Sequence, residues 1–200
     1  MAERFAAARR ELAGPGPVLV YLYIAELDVE GHAHGLNSAR WVAALESLDA
    51  EVATLVSSLG PTHGLLVTAD HGMVDVPASA QIVVPPELLA GVRHVAGEPR
   101  CLQLHLEHAT DADAVAGLWR EHEGAKAWVA TRDEAIAAGW FGDVDDAVRP
   151  RIGDMLVAAR KRYAYYIDPD DTARRMVGQH GSLTPDETAI PLLRFGAFAP

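Results

Sequence analysis

Three short segments hold most of the residues able to do chemistry. The first runs Glu26-Leu27-Asp28-Val29-Glu30-Gly31-His32-Ala33-His34-Gly35, the second Thr68-Ala69-Asp70-His71-Gly72-Met73, and the third Gly178-Gln179-His180-Gly181. Each sets metal-ligand residue types beside glycine, which lets backbone turn sharply or approach a bound ion or anion. Cys101 is the single cysteine. A disulfide framework and a thiolate zinc finger are therefore excluded, and any metal must be held by imidazoles and carboxylates. Asp28 and His32 are four residues apart, so one turn of helical or coiled backbone aims both at a common point. His180 is the candidate third ligand, and one carboxylate with two imidazoles leaves the open position that a hydrolytic zinc requires. Asp70 and His71, adjacent on a glycine-containing turn, can grip a second ion.

Each segment also has a plain structural explanation. Asp-x-x-x-His spacing arises by chance, Asp70-His71 can be an ordinary turn, and His180 an ordinary loop histidine. Their joint occurrence is more informative, because two of the three segments follow directly on strand-like sequence. His34 is read as a residue behind the ligands or in solvent. His63, His94, His105, His108 and His122 are read as surface or strand-face residues with no assigned role.

The elements that must position these residues follow from apolar periodicity and turn signals. Arg4 to Leu12 is amphipathic and is stopped by Gly14-Pro15-Gly16-Pro17, which no helix survives. Val18 to Ile24 is continuously apolar, the pattern of a strand covered on both faces in a parallel sheet. A polar loop is expected from Asp28 to Asn37, then a helix capped by Ser38. Trp41, Leu45, Leu48, Val52, Leu55 and Leu59 recur at spacings of three and four, one buried stripe, before Gly60-Pro61. Leu65 to Thr68 is a second strand. Strand, helix, strand is a βαβ unit with its functional loops at the carboxyl ends of parallel strands.

From Gly91 to Asp168 the texture changes. Leu102, Leu104 and Leu106 alternate with Gln103 and His105, giving a strand with one wet face. Thr110-x-x-Asp113 and Thr131-x-x-Glu134 have capping-box spacing. Met155 to Ala159 and Tyr163 to Ile167 are placed to pair as a hairpin. Thr184-Pro185-Asp186-Glu187 is a further capping box, with proline at the first helical position. The expected fold class is α/β: a doubly wound, mostly parallel sheet with a small α+β insertion lobe. Residues 1–90 form the first part of the metal-binding core, 91–168 the lobe, and 169–200 the return to the core with the last ligand loop.

Taken in order, the three segments resemble the C-terminal half of the type I phosphodiesterase/nucleotide pyrophosphatase family of the alkaline phosphatase superfamily, over about Pro17 to Leu193. The resemblance implies a partial alkaline phosphatase-type core with two divalent ions, zinc or manganese. Asp28, His32 and His180 would hold one ion, and Asp70 and His71 would help hold the other. It also implies hydrolysis of phosphodiester or pyrophosphate bonds in a small phosphate ester or nucleotide. In the family, a preceding segment supplies another Asp ligand and a Thr or Ser nucleophile. Residues 1–16 contain no Asp, Ser or Thr. The expectation is therefore a C-terminal portion lacking the nucleophile, with an incomplete second metal site and little activity alone. Thr68 matches a non-nucleophilic position of the family motif. The alternatives are a metal-binding half-domain that works only with a partner chain, or a related phosphonoacetate hydrolase or phosphoglycerate mutase-like enzyme.

Composition narrows the partners. The 200 residues carry 28 acidic against 17 basic side chains, a formal charge of −11, which argues against a nucleic-acid polymer as partner, since that needs a basic stripe. Half the residues are hydrophobic, enough for a core. The longest apolar run, Val18 to Ala25, falls far short of the ~20 residues that span a bilayer. With no signal-peptide pattern at the N-terminus, the chain reads as cytoplasmic, with no membrane partner.

Overall fold

The structure is a computed structural model that describes residues 1–108 and 110–200. Helix α1 (Ala2–Leu12) buries Phe5 and Ala8 and packs on helix α3 (Ala39–Ser57). Ser38 caps α3 as its residue type predicts, its hydroxyl accepting from the Trp41 backbone N–H at 3.1 Å. Of the expected apolar stripe only Leu55 is fully buried, whereas Leu45 is exposed. Between them lies helix α2 (Glu26–His34), where a loop was expected over Asp28 to Asn37. Gly31 in mid-helix costs about 1 kcal/mol relative to Ala, which hides the helix from a propensity reading. Acidic residues in the first turn and histidines in the last suit the helix dipole, and packing of Gly31 against Met73 supports the middle.

The expected parallel pair is not formed. Residues 18–24 belong to no strand and, among the described residues, make no backbone–backbone hydrogen bond. Strand β1 (Gly64–Thr68) instead pairs antiparallel with β10 (Leu192–Gly196), Val67 lying opposite Leu193. Strand β2 (Val74–Asp75) pairs antiparallel with β9 (Gly178–Gln179). Among the described residues the one parallel ladder joins β3 (Gln81–Val83) to β8 (Ala164–Tyr166). The sheets are small and mixed, so the doubly wound parallel sheet is corrected to an α/β arrangement of short ladders. An apolar run signals that side chains are suited to burial. It does not supply the neighbouring strand that its backbone groups need.

The largest sheet is antiparallel, in the order β4 (Val92–Glu98), β5 (Cys101–Leu106), β7 (Met155–Ala159), β6 (Ala127–Thr131). Leu102, Leu104 and Leu106 all turn to its buried face, as the alternation predicts. They pack with Met155, Val157 and Tyr165, and with Trp119 from helix α4 (Ala112–Glu123). Two local expectations change here. The expected hairpin does not form: β7 sits between β5 and β6, and after a turn in which Lys161 adopts φ +51 the chain continues as β8, which pairs with β3. Asp111, rather than Thr110, caps α4 by accepting from Asp113 and Ala114. The Thr131–Glu134 capping box is complete and opens helix α5 (Arg132–Ala137). Helix α6 (Pro185–Thr188) starts on its proline, but Glu187 turns inward to Arg100 instead of closing a capping box.

Candidate metal centre

The short β2–β9 ladder and helix α2 bring distant segments to one point. His32 accepts at its carbonyl from the Val177 backbone N–H at 2.8 Å, which lays the approach to His180 along the C-terminal turn of α2. Gly178 is wedged between the Gly31 carbonyl and the Met73 side chain with no room for a Cβ. Gly72 is held as tightly against the Asp186 carbonyl. The glycines beside the candidate ligands are thus sites of close approach between segments.

Asp28 occupies the centre. Its Oδ1 lies 3.3 Å from His32 Nε2, 4.0 Å from His71 Nε2 and 4.0 Å from His180 Nε2. One ligand atom from each of Asp28, His32 and His180 lies within 4.8 Å of the other two. The His71 and His180 rings stack with centroids 3.6 Å apart. Asp70 borders the cluster, its Oδ1 3.8 Å from His71 Nε2, and is more exposed. All five residues singled out by sequence therefore come together. His34 does not join them. It faces Glu30 and Arg40 at the end of α2.

The hydrogen bonds around the rings decide which nitrogen faces inward. His32 Nδ1 is 2.8 Å from the Gly178 carbonyl and His71 Nδ1 is 2.9 Å from the Gly72 carbonyl. A carbonyl can only accept, so each Nδ1 donates, and in the neutral ring the lone pair is on Nε2, the nitrogen that faces Asp28. Burial, followed by the neighbouring His71 ring, lowers the pKa of His180 and favours neutral imidazole, the form that ligates metal. Asp28 Oδ1 is buried and, among the described residues, has no hydrogen-bond partner. A buried carboxylate oxygen without a donor is costly, and the neutral His32 and His71 rings, donating from Nδ1, offer it none. A divalent cation fits that donor set, because it would satisfy the oxygen and the lone pairs together.

Beside the cluster is a cavity of ≈ 540 Å³ whose lining includes Asp70, His71, Glu98, His180 and Thr188. Glu98 was not among the residues found by sequence. It ends β4, where the chain turns into β5, and no local motif marks it. Cys101 is no substitute nucleophile: burial first, then the Glu187 and Glu98 carboxylates, push its thiol up to about 11, so it stays protonated.

The family model for type I phosphodiesterase/nucleotide pyrophosphatase matches residues 2–183. The chain belongs to that family. Its fold is similar to murine ectonucleotide pyrophosphatase/phosphodiesterase 5 solved with AMP, at TM-score 0.74 and 20% identity, covering 97% of this chain and 51% of that one. It is also similar to phosphonoacetate hydrolase from Sinorhizobium meliloti 1021 in complex with phosphonoformate, at TM-score 0.72 and 19% identity, covering 96% of this chain and 49% of that one. A 72-residue stretch is 33% identical to alkaline phosphatase PhoD of Zymomonas mobilis, 34% of this chain and 12% of that protein. This family member thus spans about half the length of the solved relatives it matches. Among the described residues, no helix is long and apolar enough to cross a membrane.

Proposed function

We propose that this chain carries a metal-ligand portion of a phosphodiester or pyrophosphate hydrolase site acting on small phosphate esters or nucleotides. Asp28, His32 and His180 would hold one divalent ion, zinc or manganese. Asp70 and His71 would contribute part of a second site. The observation that carries this reading is the buried, unpartnered Asp28 Oδ1 facing three Nε2 atoms. A divalent ion held by Asp28, His32 and His180 would supply Lewis-acid polarisation and charge stabilisation to a phosphoryl group.

The chain's own residues set the conditions for that chemistry. The Gly178 and Gly72 carbonyls hold the His32 and His71 rings in one tautomer. The stacked His71 and His180 rings wall one side of the cavity. None of these groups is an activated hydroxyl. A covalent intermediate needs a nucleophile placed and activated for attack, and the imidazoles and carboxylates here are assigned as ligands, so we propose that the nucleophile and the remaining ligand come from polypeptide outside these 200 residues, and that this chain alone turns over slowly or not at all.

Zinc and manganese uptake measured by calorimetry, beside hydrolysis of a nitrophenyl phosphodiester, tests the reading. The expected result is one tight equivalent of metal, lost in His180→Ala, with weak hydrolysis and no burst of phospho-enzyme. Metal content unchanged in His180→Ala would sink the ligand assignment. Turnover on the order of 1 to 10³ per second by the 200-residue chain would show that a nucleophile lies within it.

A further inference from the structure

We propose that Glu98 is the positioning residue for His180, its carboxylate standing behind the imidazole and selecting Nε2 as the nitrogen that faces Asp28. The proposal rests on the metal-centre reading above. All three histidines direct Nε2 inward, and for two of them a backbone carbonyl fixes the outer nitrogen. His180 has no such carbonyl. Its Nδ1 faces the Glu98 carboxylate instead, with Oε2 3.7 Å away, an electrostatic contact that a small movement of the Glu98 side chain would close to a hydrogen bond, and Gly181 leaves room for that carboxylate, since a Cβ there would come 3.1 Å from Oε2.

The contact is built from outside the ligand-bearing segments. Glu98 ends β4, and Arg100, two residues on, is buried and forks both carboxylate oxygens of Glu187. Glu187 also accepts from the Ser182 backbone N–H at 3.0 Å and from the Thr184 hydroxyl. The lobe's hairpin turn is thereby fastened to the segment that carries His180, and Glu98 is held beside the ring. A carboxylate behind a ligating imidazole fixes its tautomer and orientation and raises its basicity, and losing such a partner costs 10–100-fold in metal affinity. The lobe thus acts on the metal centre through one side chain.

The test uses the full 200-residue chain and its E98A, E98Q and E98D variants. The readouts are zinc affinity by chelator competition, and the His180 tautomer by nitrogen NMR of metal-free protein at pH 8. Wild type should show the proton on Nδ1. E98A should shift toward protonated Nε2 and bind zinc about 10–100-fold more weakly. E98Q, whose amide oxygen can still accept, should keep the tautomer and lose less affinity, and E98D should recover part of the loss. Glu98 is more than half exposed, so these variants should retain the wild-type unfolding transition. Wild-type affinity or an unchanged tautomer in E98A overturns the proposal. A wild-type chain that takes up no zinc while E98A still changes the tautomer overturns the metal-centre reading and upholds the Glu98–His180 contact.

Discussion

Leu104, flanked by Gln103 and His105, and Leu19, inside an unbroken apolar run, meet fates opposite to what their neighbourhoods suggest. Leu104 is fully buried on the face of the four-stranded lobe sheet, while Leu19 is 95% exposed and Tyr21 87%. In that sheet β5 alternates apolar with polar while β7 is apolar throughout, and every strand carries a ladder on one or both edges under the cover of α4. Residues 18–24 are apolar throughout and carry no backbone ladder. The lobe is held by side-chain burial, whereas the metal-centre region is held by close glycine contacts, short two-residue ladders and polar anchors. Burial follows from paired backbone and a covering layer together, and apolar content without pairing does not produce it.

The largest effects should come from the lobe core and the anchor that ties it to the centre. Trp119 is fully buried and donates from its indole N–H to the Leu88 carbonyl at 2.8 Å, so Trp119→Ala should cost about 3–5 kcal/mol in urea unfolding. Glu187→Ala, which strands the buried Arg100 guanidinium, should cost about as much. A loss under about 1 kcal/mol in either would show that the lobe is looser than its packing implies. Burial by itself pushes the Glu187 carboxyl up, but the hydrogen bonds from Arg100, Thr184 and the Ser182 N–H outweigh it and hold the group below its usual range. Its contribution is therefore complete above the ordinary carboxylate pKa and is lost as pH falls through the lowered native value. Glu187→Gln should flatten that part of the acid-stability curve, and an unchanged curve would remove Glu187 from the account.

Metal addition should have the next largest effect, confined to the centre. Binding to the native state alone at 100 times Kd stabilises by about 2.7 kcal/mol. Under the proposed assignment, zinc should raise Tm in wild type and leave it unmoved in His180→Ala. An equal rise in the variant would place the ion elsewhere.

The sequence made the clustering of the candidate ligands more legible than the scaffold. Asp28 and His32 share a helical face through their i,i+4 spacing, and the glycines at 72 and 178 mark close approaches that the structure fills with Asp186, Met73 and Gly31. The alternation at Leu102 to Leu106 and the Ser38 and Thr131 caps were equally readable. Strand partners were not. The pairing of β1 with β10 joins residues more than a hundred positions apart, and nothing local encodes it. Glu98 escaped notice for the same reason, since it reaches His180 by way of the lobe hairpin.

The smallest effect, and the sharpest test of the comparison, should come from residues 18–24. A surface substitution that removes no packing, cap or buried hydrogen bond usually changes stability by less than about 0.5 kcal/mol. Tyr21 projects into solvent, and its backbone carries no ladder bond. Tyr21→Ser should therefore leave the urea midpoint within that margin while Trp119→Ala collapses it. Hydrogen exchange reads the same contrast without mutation, because unpaired amides exchange at nearly open rates and core strands exchange only through large opening events. Amides of 18–24 should exchange almost immediately, and those of Leu102 to Leu104 and Leu156 to Ala158 last. Strong protection across 18–24 would mean that another strand covers this segment in solution, and the contrast between the two regions would then belong to the isolated chain alone.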